Sequence, residues 1–397
     1  MTYRILTLDG GGAWALIEVR ALIALFGETA TGHDVLAAFD MVAANSGGSI
    51  VLAGLVEDMA LSDLVALFKT ESMRRSIFSP TKNIADSAVH ALLGFGPKYS
   101  AAAKLPALER LMPKTGDLPM TQAATDVAGP GGQPVHLLIV GFDYDRNAAS
   151  FFRSAATTGW GHGAPTTLTL AGAVHASTNA PVSFFDGPAE IPGSSNRYWD
   201  GGLTGNNNPA LAACVEAVTL GQAPADLRVL SIGTATVRLP LADPGAAPSP
   251  YLAPRSASSL TSDLAKLATS ILDDPPDFAT FVVYTLTGGG AGLPPNCQSR
   301  LVRLNPLISP SPSPGGGWTA PAGWTAAQFQ YICQMAMDAV EQNDVEYIDD
   351  WCSLWMMGGA PNQPIRMDGQ TLACEIGDPT YAAAVASWRA LTASPVA

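Results

Sequence analysis

Between Phe39 and Met59 the chain passes from strand to helix through a run of small residues. Val42, Ala43 and Ala44 are β-favouring or small and apolar. Ile50, Val51, Leu52, Leu55, Val56 and Met59 recur at helical spacing. Asn45-Ser46-Gly47-Gly48-Ser49 lies between them, and only such small residues let a strand and the following helix approach closely. A serine on so sharp a turn is pushed out of the sheet, with a helix N-terminus beneath it. Taken alone, the stretch fits both an exposed nucleophile and an ordinary Gly/Ser loop.

A second junction of the same kind precedes it. Tyr3 to Leu8 reads as a buried strand, Asp9-Gly10-Gly11-Gly12 as a loop, and Trp14 to Phe26 as a helix with Glu18 and Arg20 on its wet face. Strand, glycine loop, helix and the strand into Ser46 make a βαβ unit. Parallel neighbouring strands place their C-terminal loops at one sheet edge. The spacing therefore predicts that Gly10, Gly11, Gly12 and Ser46 are neighbours.

The remaining pattern is α/β: a three-layer α/β/α arrangement around a mainly parallel sheet. Helical stripes run from Ser62 to Leu111, and the less regular Phe78–Tyr99 is placed to cover a groove. His136 to Phe142 and Leu227 to Thr234 read as strands, Ala149 to Arg153 as a weaker one, and Leu168 to Ser177 and Ala210 to Leu220 as helices. Residues 1–235 form the expected core. Residues 236–397 add a loop-rich insertion and a helical C-terminal region packed on it in one continuous domain. Residues 240–254 and 305–323 read as loops, Ser256 to Asp273 and Thr325 to Met357 as helical.

Composition narrows the function. Of the 397 residues 47% are hydrophobic and 14% charged, a composition that buries a large core. No apolar run of membrane-spanning length is free of charges or Gly/Pro breaks, and a secretory leader is not legible. A soluble, cytoplasmic protein is expected. A net charge of −13 without basic clusters argues against nucleic acid and against more than transient contact with anionic membranes. The five widely spaced cysteines form no metal motif, and free buried thiols are expected, with no metal or cofactor.

If Ser46 is a nucleophile it needs a base. The serine–aspartate–histidine order of α/β-hydrolases asks for a late histidine. The last one here is His175, and it precedes the candidate acid Asp200. His33, His90, His136 and His162 have no motif around them, and His175 stands only as an extra. A partly desolvated aspartate can serve alone, because burial raises its pKa. Asp200 follows a strand end, and Gly201-Gly202 lets the backbone turn. The N–H groups of Gly10, Gly11 and Gly12 are the candidate oxyanion donors, with Asp9 bracing that loop through backbone N–H groups.

Together these residues resemble the patatin-like phospholipase family, acyl hydrolases with a Ser-Asp dyad. The family's DGGGxRG loop, GxSxG elbow and later DGG correspond to Asp9–Ala15, Ala44–Gly48 and Asp200–Gly202. Lys98-Tyr99-Ser100, Phe142-Asp143, Ser177–Pro181 and Asn207-Asn208-Pro209 agree, over about residues 3–235. The resemblance implies acyl ester hydrolysis by Ser46 and Asp200 through an acyl-enzyme, with a lipid or small acyl ester as substrate. Three departures stand out. Ala44 replaces the first elbow glycine, Trp14 stands where the family has Arg or Lys, and Ala15 replaces the last loop glycine. Without that cation a phospholipid is less firmly implied than an acyl ester, and Trp14 is free to face the acyl pocket. Three other readings stay open. One is a dinucleotide fingerprint, Gly10-x-Gly12-x-x-Ala15, with Asp40 as the ribose acid. The others are a sugar-kinase-like phosphate loop and an inactive lipid-binding relative.

Overall fold

The computed structural model describes residues 2–80, 98–155, 168–181, 184–255, 257–288 and 299–393. His90, His162, Cys297 and most of Phe78–Tyr99 lie outside them. An eight-stranded sheet forms the middle layer. Its strands are β1 (Tyr3–Leu8), β2 (Met41–Asn45), β3 (His136–Asp143), β4 (Ala148–Arg153), β5 (Ala189–Glu190), β6 (Arg197–Asp200), β7 (Leu227–Ile232) and, after the short β8 (Thr236–Val237), β9 (Leu301–Leu304). The order is β5-β6-β3-β2-β1-β7-β9, with β4 also paired to β3. β3, β2, β1, β7 and β9 run parallel, whereas β4, β5 and β6 make antiparallel pairs.

The central strands are apolar on both faces, as a sheet covered by helices on both sides requires. Leu6, Leu8, Val42, Ala44, Leu230 and Ile232 enter one core with α1 (Leu16–Phe26) and α3 (Ser46–Val56). Ile5, Met41, Ala43, Leu227 and Val229 enter the other, against Ala210, Ala213 and Ala217 of the helix Ala210–Thr219. Each fully buried aliphatic side chain contributes roughly 1.5–3 kcal/mol, so the sheet centre carries much of the stability. α2 (Gly32–Leu36), α4 (Leu61–Lys69) and α5 (Glu71–Ile77) complete the first layer around Ser46.

Several sequence expectations are corrected. The helix expected over Ser256–Asp273 is Leu260–Leu286 and runs on through Pro275-Pro276. The helical region expected from Thr325 to Met357 is two helices, Ala326–Gln334 and Gln342–Met356. The break between them reaches back to the glycine loop, where Met337 O accepts the Ala13 N–H at 3.0 Å. The loop expected over 305–323 has a buried start, because Leu307–Ile308 pairs in parallel with β8. Of the described cysteines, all free, Cys214 and Cys352 are buried, but Cys374 is exposed. Among the described residues no helix is long and apolar enough to cross a membrane.

Glu18 is not on the wet face; it is fully buried, and neither carboxyl oxygen meets a side-chain donor among the described residues. α1 is covered on two sides, and its outer face is claimed instead by Arg20, which holds Asp349 through two bonds of 2.8 and 2.9 Å. Burial first, then the neighbouring charge of Asp9, pushes the Glu18 carboxyl well above its ordinary value. The folded state therefore holds a proton there that the unfolded chain releases near the ordinary pKa. That contribution is complete at acid pH and is lost as pH rises toward the folded-state pKa. Glu18→Gln, which mimics the neutral acid, is expected to melt at a higher temperature than wild type at pH 8, with the difference closing toward pH 4. Equal melting temperatures at both pH values would contradict a buried neutral Glu18.

The approach of α3 to β1 gives a second test. A Cβ added at Gly48 would lie 2.6 Å from the carbonyl oxygens of Asp9 and Leu8, both backbone atoms. Gly48→Ala is expected to destabilise the protein by about 1–3 kcal/mol in urea denaturation.

Candidate active site

Ser46 opens α3 in the left-handed region, with φ 47°. A non-glycine residue there stores about 1–3 kcal/mol of strain and turns its side chain out of the sheet. β2 ends at Asn45 opposite Val140, and β6 ends at Asp200 opposite Gly141. Both strands lie on the same side of β3 and run in opposite directions, so their C-terminal ends meet head to head. That meeting brings Ser46 and Asp200 together across 154 residues of chain, close enough for the serine hydroxyl to hold down the Asp200 pKa.

Both groups are nearly enclosed: Ser46 is 7% exposed and Asp200 6%. Asp200 Oδ1 accepts the Gly202 N–H at 2.8 Å and Asn45 Nδ2 at 3.3 Å. Burial raises the Asp200 pKa above the ordinary carboxylate value, opposed by the Ser46 hydroxyl, the Gly202 N–H and Lys104. Asn45 also donates to Asn207 Oδ1 at 3.3 Å, and its Oδ1 accepts from Ser177 Oγ at 3.4 Å. Ser177 Oγ in turn accepts the Ser46 N–H at 2.9 Å, so that donor is spent on holding the turn.

The glycine loop lies beside this pair as expected from the parallel register, Leu8 opposite Ala44. Its three N–H groups are not equivalent. Gly10 donates to Asn207 O at 2.8 Å. Among the described residues, the Gly11 and Gly12 N–H groups meet no acceptor. Gly12 has φ 56°, and a Cβ on it would lie 2.3 Å from Met337 O. Gly12, Ser46, Gly47, Thr178, Phe184 and Met337 help to wall an apolar hollow over the serine.

Asp9 braces the loop differently from expectation. Its carboxylate forms a two-pronged ion pair with Arg303 of β9, at 3.0 and 2.5 Å, rather than accepting backbone N–H groups. Arg303 also donates to Ser231 Oγ at 2.7 Å. Burial raises the Asp9 pKa, and Arg303 opposes the rise. The reason for the difference is β9, which the sequence reading did not place in the sheet. Trp14 does not wall the hollow over Ser46; it is buried and its indole N–H donates to Ala336 O at 3.3 Å. Ala44 is accommodated within β2 between Leu8 and Ile139.

No described histidine hydrogen-bonds to Ser46. His175 is buried in the helix Leu170–Ser177 with Nδ1 unpartnered, and burial and then Lys104 lower its pKa to about 2. His136 contacts Glu216 at 3.2 Å, and His33 contacts Val56 O at 3.2 Å. Lys104 is the residue that sequence reading missed. It is fully buried, donates to Asn179 Oδ1 at 2.9 Å and lies 3.9 Å from the Phe185 ring centre. Asn179 O accepts the Asp200 N–H at 3.0 Å. A signal was present, since Lys104 stands one helical turn before the buried Leu108 on the inward stripe of its helix.

Asp40 precedes β2 and accepts the Arg4 N–H at 2.8 Å and the Gly131 N–H at 2.9 Å. It stands at the opposite sheet edge from the glycines, so the dinucleotide reading loses its ribose acid. Among the described residues no three His, Cys, Asp or Glu side chains gather as metal ligands.

A cGAMP-activated phospholipase of Pseudomonas aeruginosa (strain BWHPSA011 / Pa011) is 28% identical over 247 residues, which cover 59% of this chain and 63% of that protein. The chain thus spans less than two thirds of that relative's length. The crystal structure of VipD from Legionella pneumophila aligns over 89% of this chain and 67% of its own, at 10% identity. Its TM-score of 0.33 carries no structural argument. The family model for patatin-like phospholipases matches residues 6–214, just over half of the chain. That span contains the glycine loop, the Ser46 turn and Asp200, and the chain belongs to the patatin-like phospholipase family.

Proposed function

We propose that the chain is a lipid acyl hydrolase with Ser46 as nucleophile and Asp200 as its only base. The observation that carries this reading is the buried juxtaposition of Ser46 and Asp200 at the meeting ends of β2 and β6, with no histidine hydrogen-bonded to the serine among the described residues. Asp200 takes the hydroxyl proton as Ser46 Oγ attacks the ester carbonyl. The Gly11 and Gly12 N–H groups, with Gly10 holding the loop rather than donating, receive the oxyanion beside the positive end of α3. The alcohol or lysolipid departs with the proton from Asp200. Water then attacks the acyl-enzyme, again with Asp200 as base, and releases the fatty acid.

Ser46→Ala is expected to abolish hydrolysis of p-nitrophenyl octanoate and labelling by a fluorophosphonate probe while the fold persists. Equal turnover by wild type and Ser46→Ala would sink the proposal. Asp200→Asn is expected to lower kcat by on the order of 10²–10⁴-fold, the usual worth of a positioned base.

The pH dependence follows from the direction of the Asp200 shift. The base acts only when deprotonated, and burial raises its pKa. Activity is therefore expected to fall with decreasing pH along an acid limb that lies above the ordinary carboxylate value. A kcat/KM profile that stays flat down to pH 4 would contradict Asp200 as base.

The walls over Ser46 suggest regulation as part of the same reading. Phe78, Phe184, Phe185 and Met337 close around a serine that is only 7% exposed, so an acyl chain enters only when they part. The Pseudomonas relative is named as cGAMP-activated. We extend that to this chain as a proposal, and the ester assay is run with and without cGAMP.

A further inference from the structure

Lys104 lies in the helix Ala101–Leu111, on the buried stripe with Ala101, Ala107 and Leu108, and is fully buried. Packing alone does not ask for a lysine there. A methionine or leucine would fill the place without taking an amine out of water. The hollow over Ser46 is lined by Phe185 but not by Lys104, whose Nζ lies 3.9 Å from the centre of the Phe185 ring. The amine thus stands behind the wall of the hollow rather than in it.

What it reaches is the end of β6. Nζ donates to Asn179 Oδ1 at 2.9 Å. The other end of that amide fixes its orientation, since Asn179 Nδ2 donates to Gly187 O at 2.7 Å. Asn179 is itself fully buried, and its backbone carbonyl accepts the Asp200 N–H at 3.0 Å. A single residue therefore links the amine to the base. Asn45 and the Gly202 N–H hold the Asp200 side chain, and Asn179 holds its backbone. Burial works against the ammonium form of Lys104, and the charge of Asp200 is what opposes it. The other titratable group facing Lys104 is His175, which burial keeps neutral, so it adds no competing charge. A carboxylate alone in an apolar hollow takes up a proton and stops being a base, and a nearby cation counters that tendency.

We propose that Lys104 is a positioning residue for the base: through Asn179 it fixes the end of β6, and as an ammonium ion it keeps Asp200 ionised behind the closed wall of the hollow. The inference rests on the acyl-hydrolase reading of Ser46 and Asp200. Each charge favours the other, so the coupling is reciprocal and can be read from either side.

The test is the acid limb of the kcat/KM profile on p-nitrophenyl octanoate. Without the cation, Asp200 keeps its proton to higher pH and the limb moves up. Lys104→Met, close to lysine in length, is expected to place the limb about one pH unit or more above wild type. Lys104→Arg keeps the charge and is expected to leave the limb near its wild-type position. A lysine with a merely structural role would lower kcat or the melting temperature at every pH and leave the limb where it is. An unmoved limb in a folded Lys104→Met overturns the proposal, and so does an equal displacement in Lys104→Arg. The second measurement needs neither a Lys104 variant nor turnover. In protein carrying lysine isotope-labelled at Cε, NMR follows the loss of the Lys104 proton with pH. Its midpoint is expected to fall by about one pH unit in Asp200→Asn, by reciprocity. An equal midpoint in wild type and Asp200→Asn overturns the proposal. A lowered midpoint in a protein that hydrolyses no ester supports the coupling and removes only the hydrolase reading.

Discussion

The candidate site depends on the head-to-head meeting of β2 and β6 on one side of β3. Asn45 stands at that meeting and has no freedom to face solvent, being fully buried. Its amide donates to Asp200 and Asn207 and its carbonyl accepts from Ser177, so one side chain ties the ends of two strands to the helix Leu170–Ser177 and to the segment before Ala210. A buried polar group with all of its partners in place orders its surroundings, whereas the same group half satisfied destabilises them. This is why Ser46 can be held at a positive φ: the strain is small beside the bonds and packing that surround it.

Around this junction the chain keeps several charges out of water, each in a different way. Asp9 is matched by Arg303, which also pins β9 to the loop. Glu18 meets no side-chain partner among the described residues, and burial favours it as the neutral acid. Lys104 is held by a neutral amide and an aromatic face, and burial drives its pKa well down against the attraction of Asp200. Arg74, which cannot lose its proton, rests on backbone carbonyls and a glutamine. Five ionisable side chains, Asp9, Arg303, Glu18, Lys104 and Arg74, are thus buried in a chain with few charged residues.

Much of the frame was legible in the residues. The strands β1, β2, β3 and β7 were readable because a strand buried on both faces must be continuously apolar. The turns after them were readable because glycine and small residues are required wherever a helix starts against a strand, as Gly48 against Asp9 illustrates. The pairing of β1 with β2 followed from the handedness and shortness of βαβ connections. Glu18 misled because a lone glutamate on an amphipathic helix usually faces water, and nothing nearby in sequence announced that α1 would be covered on both sides.

The sequence by itself determined local geometry: which segments extend, which coil, and where the backbone must be bare enough for close approach. It also singled out Ser46, Asp200 and the three glycines, because their neighbours are small for a steric reason that acts within a few residues. Only the tertiary structure decided what each of them meets. The antiparallel course of β6, the entry of Arg303 from β9, the Met337 carbonyl against Gly12 and the burial of Lys104 and Arg74 all join residues far apart in the chain. Such contacts leave no periodic trace, since the free energy that selects them arises only when the layers close and water is expelled from between them.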